Sequence, residues 1–239
     1  MRSGPTGRRG RHLVIGAAAL ALLACSSTPA GPSRPPGRCE VLQATYGLTP
    51  CPPAPLPVET VAVKNGDGAI TDQRATQVAQ AYLRSRALYY RALDANSDRF
   101  FRSRVIYLPD NSPLMFDQEI KHIVDARARK GRLVVQAHST LRSVTVLGLT
   151  PELRSALGGR VTPLAEAVMV NYVGPDEQVI RVPGQPDRSV ASLGPSDSVT
   201  QLIAGVLVTA PGLEETWAEV GQWDCHDPDV SLLCGVDAG

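Results

Sequence analysis

The sequence predicts an α+β fold: a long amphipathic helix near the amino end and a second helix, packed on a curved antiparallel sheet of five or six strands. Three observations carry this. Apolar residues recur at helical spacing from Asp72 to about Ala95, and a second helical segment runs from Ser112 to Lys130. After Gly131 the pattern changes to short runs rich in Val, Ile, Thr and aromatic residues, divided by Gly and Pro. With 43% apolar and 20% charged residues in 239 positions, the composition suits one buried core and excludes both a disordered chain and a multi-pass membrane protein.

The first helix carries Ala75, Val78, Ala79, Tyr82, Leu83, Tyr89, Tyr90 and Leu93 on one stripe, with Gln80, Arg84 and Arg91 between them. Thr71 or Asp72 suits its N-cap, and at 1.5 Å per residue it spans about 36 Å. Its tyrosines read as a core-facing stripe with hydroxyls at the rim. The second helix has Ser112 as its cap, Pro113 at its first position, Gly131 as its stop and Ile120, Ile123 and Val124 as its buried stripe, with His122 at the edge. Strands are predicted over Leu133 to Ser139, Ser143 to Leu149, Ala167 to Val173, Gln178 to Val182, Val199 to Thr209 and Thr216 to Trp223. Between them, Thr150 reads as the cap of a short helix and Pro183 to Pro195 as a loop. Val199 to Val208 is equally compatible with a short buried helix.

The amino terminus is an address. Arg2, Arg8, Arg9 and Arg11 precede a run of 12 apolar or small residues, Leu13 to Ala24. A helix of that length rises about 18 Å, too short for a hydrocarbon layer of about 30 Å, so it reads as a signal-peptide core. Arg8-Arg9 suggest twin-arginine export, but Arg11-His12 break the apolar continuation of that signal. The run ends in Leu22-Leu23-Ala24-Cys25, which resembles the lipobox of bacterial lipoprotein precursors. That resemblance implies cleavage after Ala24, a diacylglycerol thioether on Cys25, and a mature chain anchored to the membrane from outside the cytoplasm. Residues 1–24 thus read as signal peptide, 25–60 as a lipidated tether and 61–239 as a single globular domain. Nine of the 20 prolines lie between Pro29 and Pro57, which favours an extended tether.

Loss of the four signal-peptide arginines leaves 20 basic and 23 acidic groups, net −3, with no field to attract nucleic acid. Once Cys25 carries lipid, Cys39, Cys51, Cys225 and Cys234 remain, an even number that suggests two disulfides in an exported protein. Local pairing, Cys39 with Cys51 and Cys225 with Cys234, closes two short loops. Crossed pairing, which would staple the tether to the carboxyl end, stays open.

Chemistry-bearing motifs are sparse. Asn65-Gly66-Asp67-Gly68-Ala69-Ile70 resembles the middle of an EF-hand loop, but Val63 and Arg74 stand where its outer carboxylates belong. Asp94-x-Asn96-x-Asp98 has Arg99 at the glycine turn and Val105 at the Glu position, and reads as a helix exit. Cys225-His226 has no second Cys/His pair at zinc spacing. No Gly-x-Ser-x-Gly, phosphate loop, His-Glu-x-x-His or Ser-x-x-Lys motif is present. His138 and Ser139, adjacent on a predicted strand, point to opposite faces and do not make a nucleophile and base pair. Glu214-Glu215 read as a solvated loop. Neither a metal nor a cofactor is expected.

The order of helices then meander, over roughly residues 70–225, and the closing strand Thr216-Trp217-Ala218-Glu219-Val220 are similar to the NTF2-like family of cone-shaped α+β domains. That resemblance implies a cone with a mouth, used by some members as an enzyme pocket and by others for binding or assembly. No catalytic residue transfers from it; Tyr82, Tyr89 and Asp117 are the candidate pocket groups. The expectation is a lipid-anchored extracytoplasmic domain that binds an envelope protein partner or a small apolar ligand. The alternatives are an NTF2-like enzyme and a structural envelope spacer.

Overall fold

The computed structural model describes residues 36–66, 69–104, 115–156, 165–209 and 214–226, with Ser231 and Cys234. Cys25 and its lipobox, Asp67-Gly68 and the Ser112-Pro113 cap lie outside the described residues.

The first element, α1 (Arg38–Tyr46), is one that the sequence reading missed. Glu40 accepts the Gly37 N–H at 2.8 Å, and Gly47, at φ 65°, closes the carboxyl end. Leu42 and Tyr46 of α1, with Leu48 and Leu56 beyond it, are buried against Leu88, Leu93, Phe100, Phe101 and Ile123. The tether expected to reach residue 60 is corrected accordingly: the folded unit already includes Pro36. Prolines 50–57 lie on the body because the Cys39–Cys51 disulfide, with Cα atoms 5.3 Å apart, ties them to α1. Arg38 also donates to the carbonyls of Pro52 and, at 2.8 Å, Pro53. Proline content outweighed four spaced apolar residues in the sequence reading, and that was the error.

A short strand, β1 (Ala62–Asn65), leads into α2 (Asp72–Asp94). The turn between them is closed by the Asn65 amide, which donates to the Ile70 carbonyl at 2.7 Å and to the Asp72 carboxylate at 3.0 Å. Thr71 caps α2 by accepting the Arg74 N–H at 3.2 Å. The helix buries Ala75, Val78, Ala79, Tyr82, Leu83 and Leu93, as its spacing requires. It leaves through Asn96 at φ 52°, whose side-chain amide donates to the Leu133 carbonyl at 2.9 Å and accepts the Leu133 N–H at 2.7 Å. The short α3 (Asp98–Arg104) and then α4 (Met115–Ala128) follow. In α4 Phe116, Ile120, Ile123 and Ala126 are buried, whereas Val124, expected in that stripe, is 46% exposed.

The remaining elements are β2 (Arg132–Ala137), β3 (Thr140–Leu147), α5 (Pro151–Ala156), β4 (Glu166–Val173), β5 (Asp176–Arg181), β6 (Arg188–Leu193), β7 (Ser198–Val208) and β8 (Thr216–Asp224). The expected single sheet is two sheets by hydrogen bonding: β1-β3-β4-β7-β8, antiparallel except for β1 on β3, and β2-β5-β6. Strands β1 and β6 were not foreseen; β6 lies inside the predicted Pro183 to Pro195 loop, where flanking Pro, Gly and Asp hide a short alternating run. The segment 199–208 is strand, not helix.

The two sheets are halves of one creased surface. The ladder between Arg132↔Arg181 and Ala137↔Glu177 resumes, after a gap, from Thr140↔Val173 to Leu147↔Ala167. Likewise Asp176↔Leu193 stands next to Val173↔Ser198. The gaps fall at the same level, on His138-Ser139, Gly174-Pro175 and Gly194 to Asp197. Pro175 offers no ladder donor. The Gly174 N–H donates instead to the Asp197 carbonyl at 3.0 Å, and the Asp197 carboxylate accepts the Gly194 N–H at 2.8 Å. A Cβ on Gly174 would stand 2.0 Å from the Gly194 carbonyl oxygen. Gly174→Ala is therefore expected to destabilise the protein by about 1–3 kcal/mol, read as a lower urea midpoint at unchanged slope.

Candidate ligand-binding cavity

A partly open cavity of 80 Å³ lies beneath α2, close to the crease. That is about half the 150 Å³ of an engineered cavity known to hold benzene. Helix α2 supplies Tyr82, Ser85, Arg86, Tyr89 and Tyr90; α3 supplies Phe100 and Arg104; α4 supplies Phe116. The sheet side is formed by Ser139, Tyr172 and Asp176 at the crease, Gln201 and Ile203 of β7, and Trp217 and Glu219 of β8. Local geometry explains this set. Residues 82, 85, 86 and 89 share one helix face at i, i+3, i+4 and i+7, and Trp217 and Glu219, two apart on a strand, share one sheet face. Gly205 makes room for the indole, since a Cβ there would lie 2.3 Å from Trp217 Cε2. The Ser85 hydroxyl joins helix to strand: it accepts the Trp217 N–H at 2.7 Å and donates to the Trp217 carbonyl at 2.6 Å.

The polar groups fall into three sets. In the first, Glu119, 5% exposed, accepts the Tyr89 hydroxyl at 2.7 Å and the Gln178 amide at 3.4 Å. Burial pushes the Glu119 carboxyl up, and burial likewise holds the Tyr89 phenol well above its ordinary range. His122 stands 4.0 Å from Glu119 Oε2, with its pKa lowered by burial and by the nearby Arg188 and Lys121. In the second set, Arg86 donates to Glu59 at 2.7 Å and to the Ser139 carbonyl at 2.5 Å, and lies over the Tyr90 ring. The Tyr90 and Ser139 hydroxyls are 3.0 Å apart, and Ser139 donates to the Asp176 carboxylate at 3.2 Å.

The third set is unanswered. Arg104, 2% exposed, donates from Nη2 to Ser85 at 3.2 Å and faces the rings of Phe100 and Tyr46, but its Nε and Nη1 have no acceptor among the described residues. Burial lowers its pKa. The Trp217 Nε1 and the Glu219 Oε1 are equally without partners among the described residues. Glu219 is 6% exposed, and burial pushes its carboxyl up to about 8, so it is mostly protonated at neutral pH.

Of the three pocket groups named from sequence, Tyr82 and Tyr89 line the cavity. Asp117 does not: it sits one residue past the inward Phe116, about 100° round α4, and is half-exposed. The inward acid of that helix is Glu119. Sequence reasoning missed Arg104, which ends α3, a helix it did not foresee, and Glu219, which it quoted without giving it a role. The signal for Glu219 was present as a carboxylate two residues from a tryptophan and flanked by Ala218 and Val220. His138 and Ser139 form a connection at the crease rather than part of a strand; His138 packs edge-on against Tyr90 at 4.2 Å and Ser139 faces the cavity. Cysteines 225 and 234 are bonded to each other behind β8, with Cα atoms 5.7 Å apart. Glu215 is half-buried rather than solvated: its carboxylate accepts the Gln77 amide at 2.8 Å.

The raised Glu219 carboxyl makes stability depend on pH. The folded chain keeps this proton up to about 8, whereas the unfolded chain releases it near the ordinary carboxylate value. Its contribution is thus complete at low pH and is lost as pH rises through that window. Glu219→Gln removes the loss. From about pH 5 to 9 the wild type should fall progressively below the variant in melting temperature, by about 2–4 °C per kcal/mol, and parallel melting curves would refute the assignment.

Comparison with models of protein families, with characterised proteins and with solved structures returns no significant match, so the site is read from its own geometry.

Proposed function

We propose that the chain is an extracytoplasmic lipoprotein, fastened to the membrane through Cys25, that holds a small ligand in the cavity beneath α2. One observation carries the binding half of this reading: Arg104, Trp217 and Glu219 present buried polar atoms without partners to a single cavity. Unmet, such groups cost about 1–3 kcal/mol each, and more when charged. A ligand that bonds them recovers that cost. Elsewhere around the cavity, Arg86 is paired with Glu59, and Asp176 accepts from Ser139 through Oδ2 while its Oδ1 has no partner among the described residues. The lipobox supports the address, and two disulfides are compatible with an oxidising compartment. Strands bent along one crease, with a long helix over the hollow, support the reading as an NTF2-like cone. An envelope protein partner is the other form of binding this address allows; a spacer role would leave the cavity unexplained.

A second reading rests on Glu219 itself. A protonated carboxyl in a cavity that also holds the Tyr82 hydroxyl is placed for proton transfer to a bound substrate. Activity of that kind would be abolished in Glu219→Gln, while ligand capture would survive.

Two measurements test the leading proposal. Wild type should partition into the membrane fraction with an acylated Cys25 as its first residue, whereas Cys25→Ala should keep residues 1–24 and lack the acyl mass. Solvent extraction of purified wild type should release a small molecule that is missing from Ile203→Phe, a variant that fills the cavity. Recovery of equal material from both proteins would sink the binding reading.

A further inference from the structure

Resting on that binding reading, we propose that the cavity selects a compact organic anion, a carboxylate or phosphate monoester on a short apolar body. Arg104 supplies the counter-charge and Glu219 a hydrogen-bond donor. Among the described residues two lining charges have no ion-pair partner, since Arg86 is paired with Glu59: the half-buried Asp176, which accepts from Ser139 through Oδ2 and leaves Oδ1 without a partner, and the more deeply buried Arg104, with two idle N–H-bearing nitrogens. A buried guanidinium with idle N–H groups favours an anion over a cation by charge, and over a neutral apolar guest because the latter leaves those groups unmet. Glu219 stands on β8 and Arg104 on α3, with no ion pair between them. Held protonated by burial, Glu219 does not repel an anion and can donate to it. Phe100, Phe116 and Trp217 line the same space and suit a short hydrocarbon or ring. At 80 Å³ the cavity accepts a compact head group, and its partly open side lets the apolar body continue outward.

The test uses the full mature lipoprotein in phosphatidylcholine nanodiscs and three probes of equal chain length: hexanoate, hexyl phosphate and hexan-1-ol. Binding is read by tryptophan fluorescence, because Trp217 lines the site. At least one anion should bind about tenfold tighter than hexan-1-ol or better, and which anion does so identifies the head group. Arg104→Met should erase that preference and, by removing a buried unpaired charge, raise the melting temperature without ligand. Arg104→Lys should restore part of the preference, and Glu219→Gln, whose amide still donates, should keep it. Should Arg104→Met fail to fold, the three probes on wild type decide the question alone. Equal binding of hexan-1-ol and both anions overturns the anion proposal and leaves the cavity reading standing. No binding of any probe to wild type overturns both.

Discussion

At the crease, two chain segments meet through bare backbone: the Gly174 Cα faces the Gly194 carbonyl with no room for a Cβ. Everything above this contact depends on it. Three antiparallel strands change direction at one level only because each carries a residue or pair there that gives up the ladder, Pro175 by lacking an N–H and Gly174 and Gly194 by lacking side chains. The β2-β5-β6 sheet then packs on α4 and the carboxyl half of α2, and the β1-β3-β4-β7-β8 sheet packs on the amino half of α2. One helix thus spans both sheets, and its middle stands over the crease. The cavity occupies that middle, and Ser139, Tyr172 and Asp176 reach it because they sit at or beside the bend.

The same helix is fixed at its carboxyl end and at its middle by side chains that imitate backbone. Asn96 bonds the N–H and carbonyl of Leu133, as a strand neighbour would, and locks the end of α2 to β2. Ser85 does the same to Trp217 on β8. Each of these bonds contributes about 1 kcal/mol, and their larger effect is to set the height of α2 over the sheet. Ser85 also accepts from Arg104, so the residue that sets the helix height holds the one described contact of the buried guanidinium to a polar side chain.

The helical and strand periodicities carried the α2 segment, most strand positions and the inward tyrosines, because burial on one face imposes a period that no other constraint on those residues hides. The reading failed wherever a short element lacks a full period. Helix α1 has nine residues and lies among prolines, β1 has four, and β6 has six in a Pro- and Gly-rich stretch. Sheet number was illegible because a crease depends on which residues meet across strands, as Gly174 and Gly194 do, and not on either segment alone. The cavity was half legible for a related reason. Tyrosines on a helix stripe announce where they point, but whether Arg104 and Glu219 find partners depends on contacts between α3, α2 and β8 that no local pattern encodes.

The distribution of polar satisfaction separates a fold requirement from a site. Glu119, Arg86 and Asp176 are buried or half-buried polar groups with bonds to Tyr89, Glu59 and Ser139 that link helices to the crease, although one oxygen each of Glu119 and Asp176 has no partner among the described residues. Arg104 and Glu219 link almost nothing, yet they are as deeply buried. Replacing buried ionisable groups by apolar residues of similar size is often neutral or stabilising by about 1–4 kcal/mol, so packing alone gives no reason for an arginine at 104 or a glutamate at 219. Both line one partly open cavity. Unmet polar atoms of Arg104, Trp217 and Glu219 that converge on one hollow are the arrangement expected where the missing partner arrives from outside the chain.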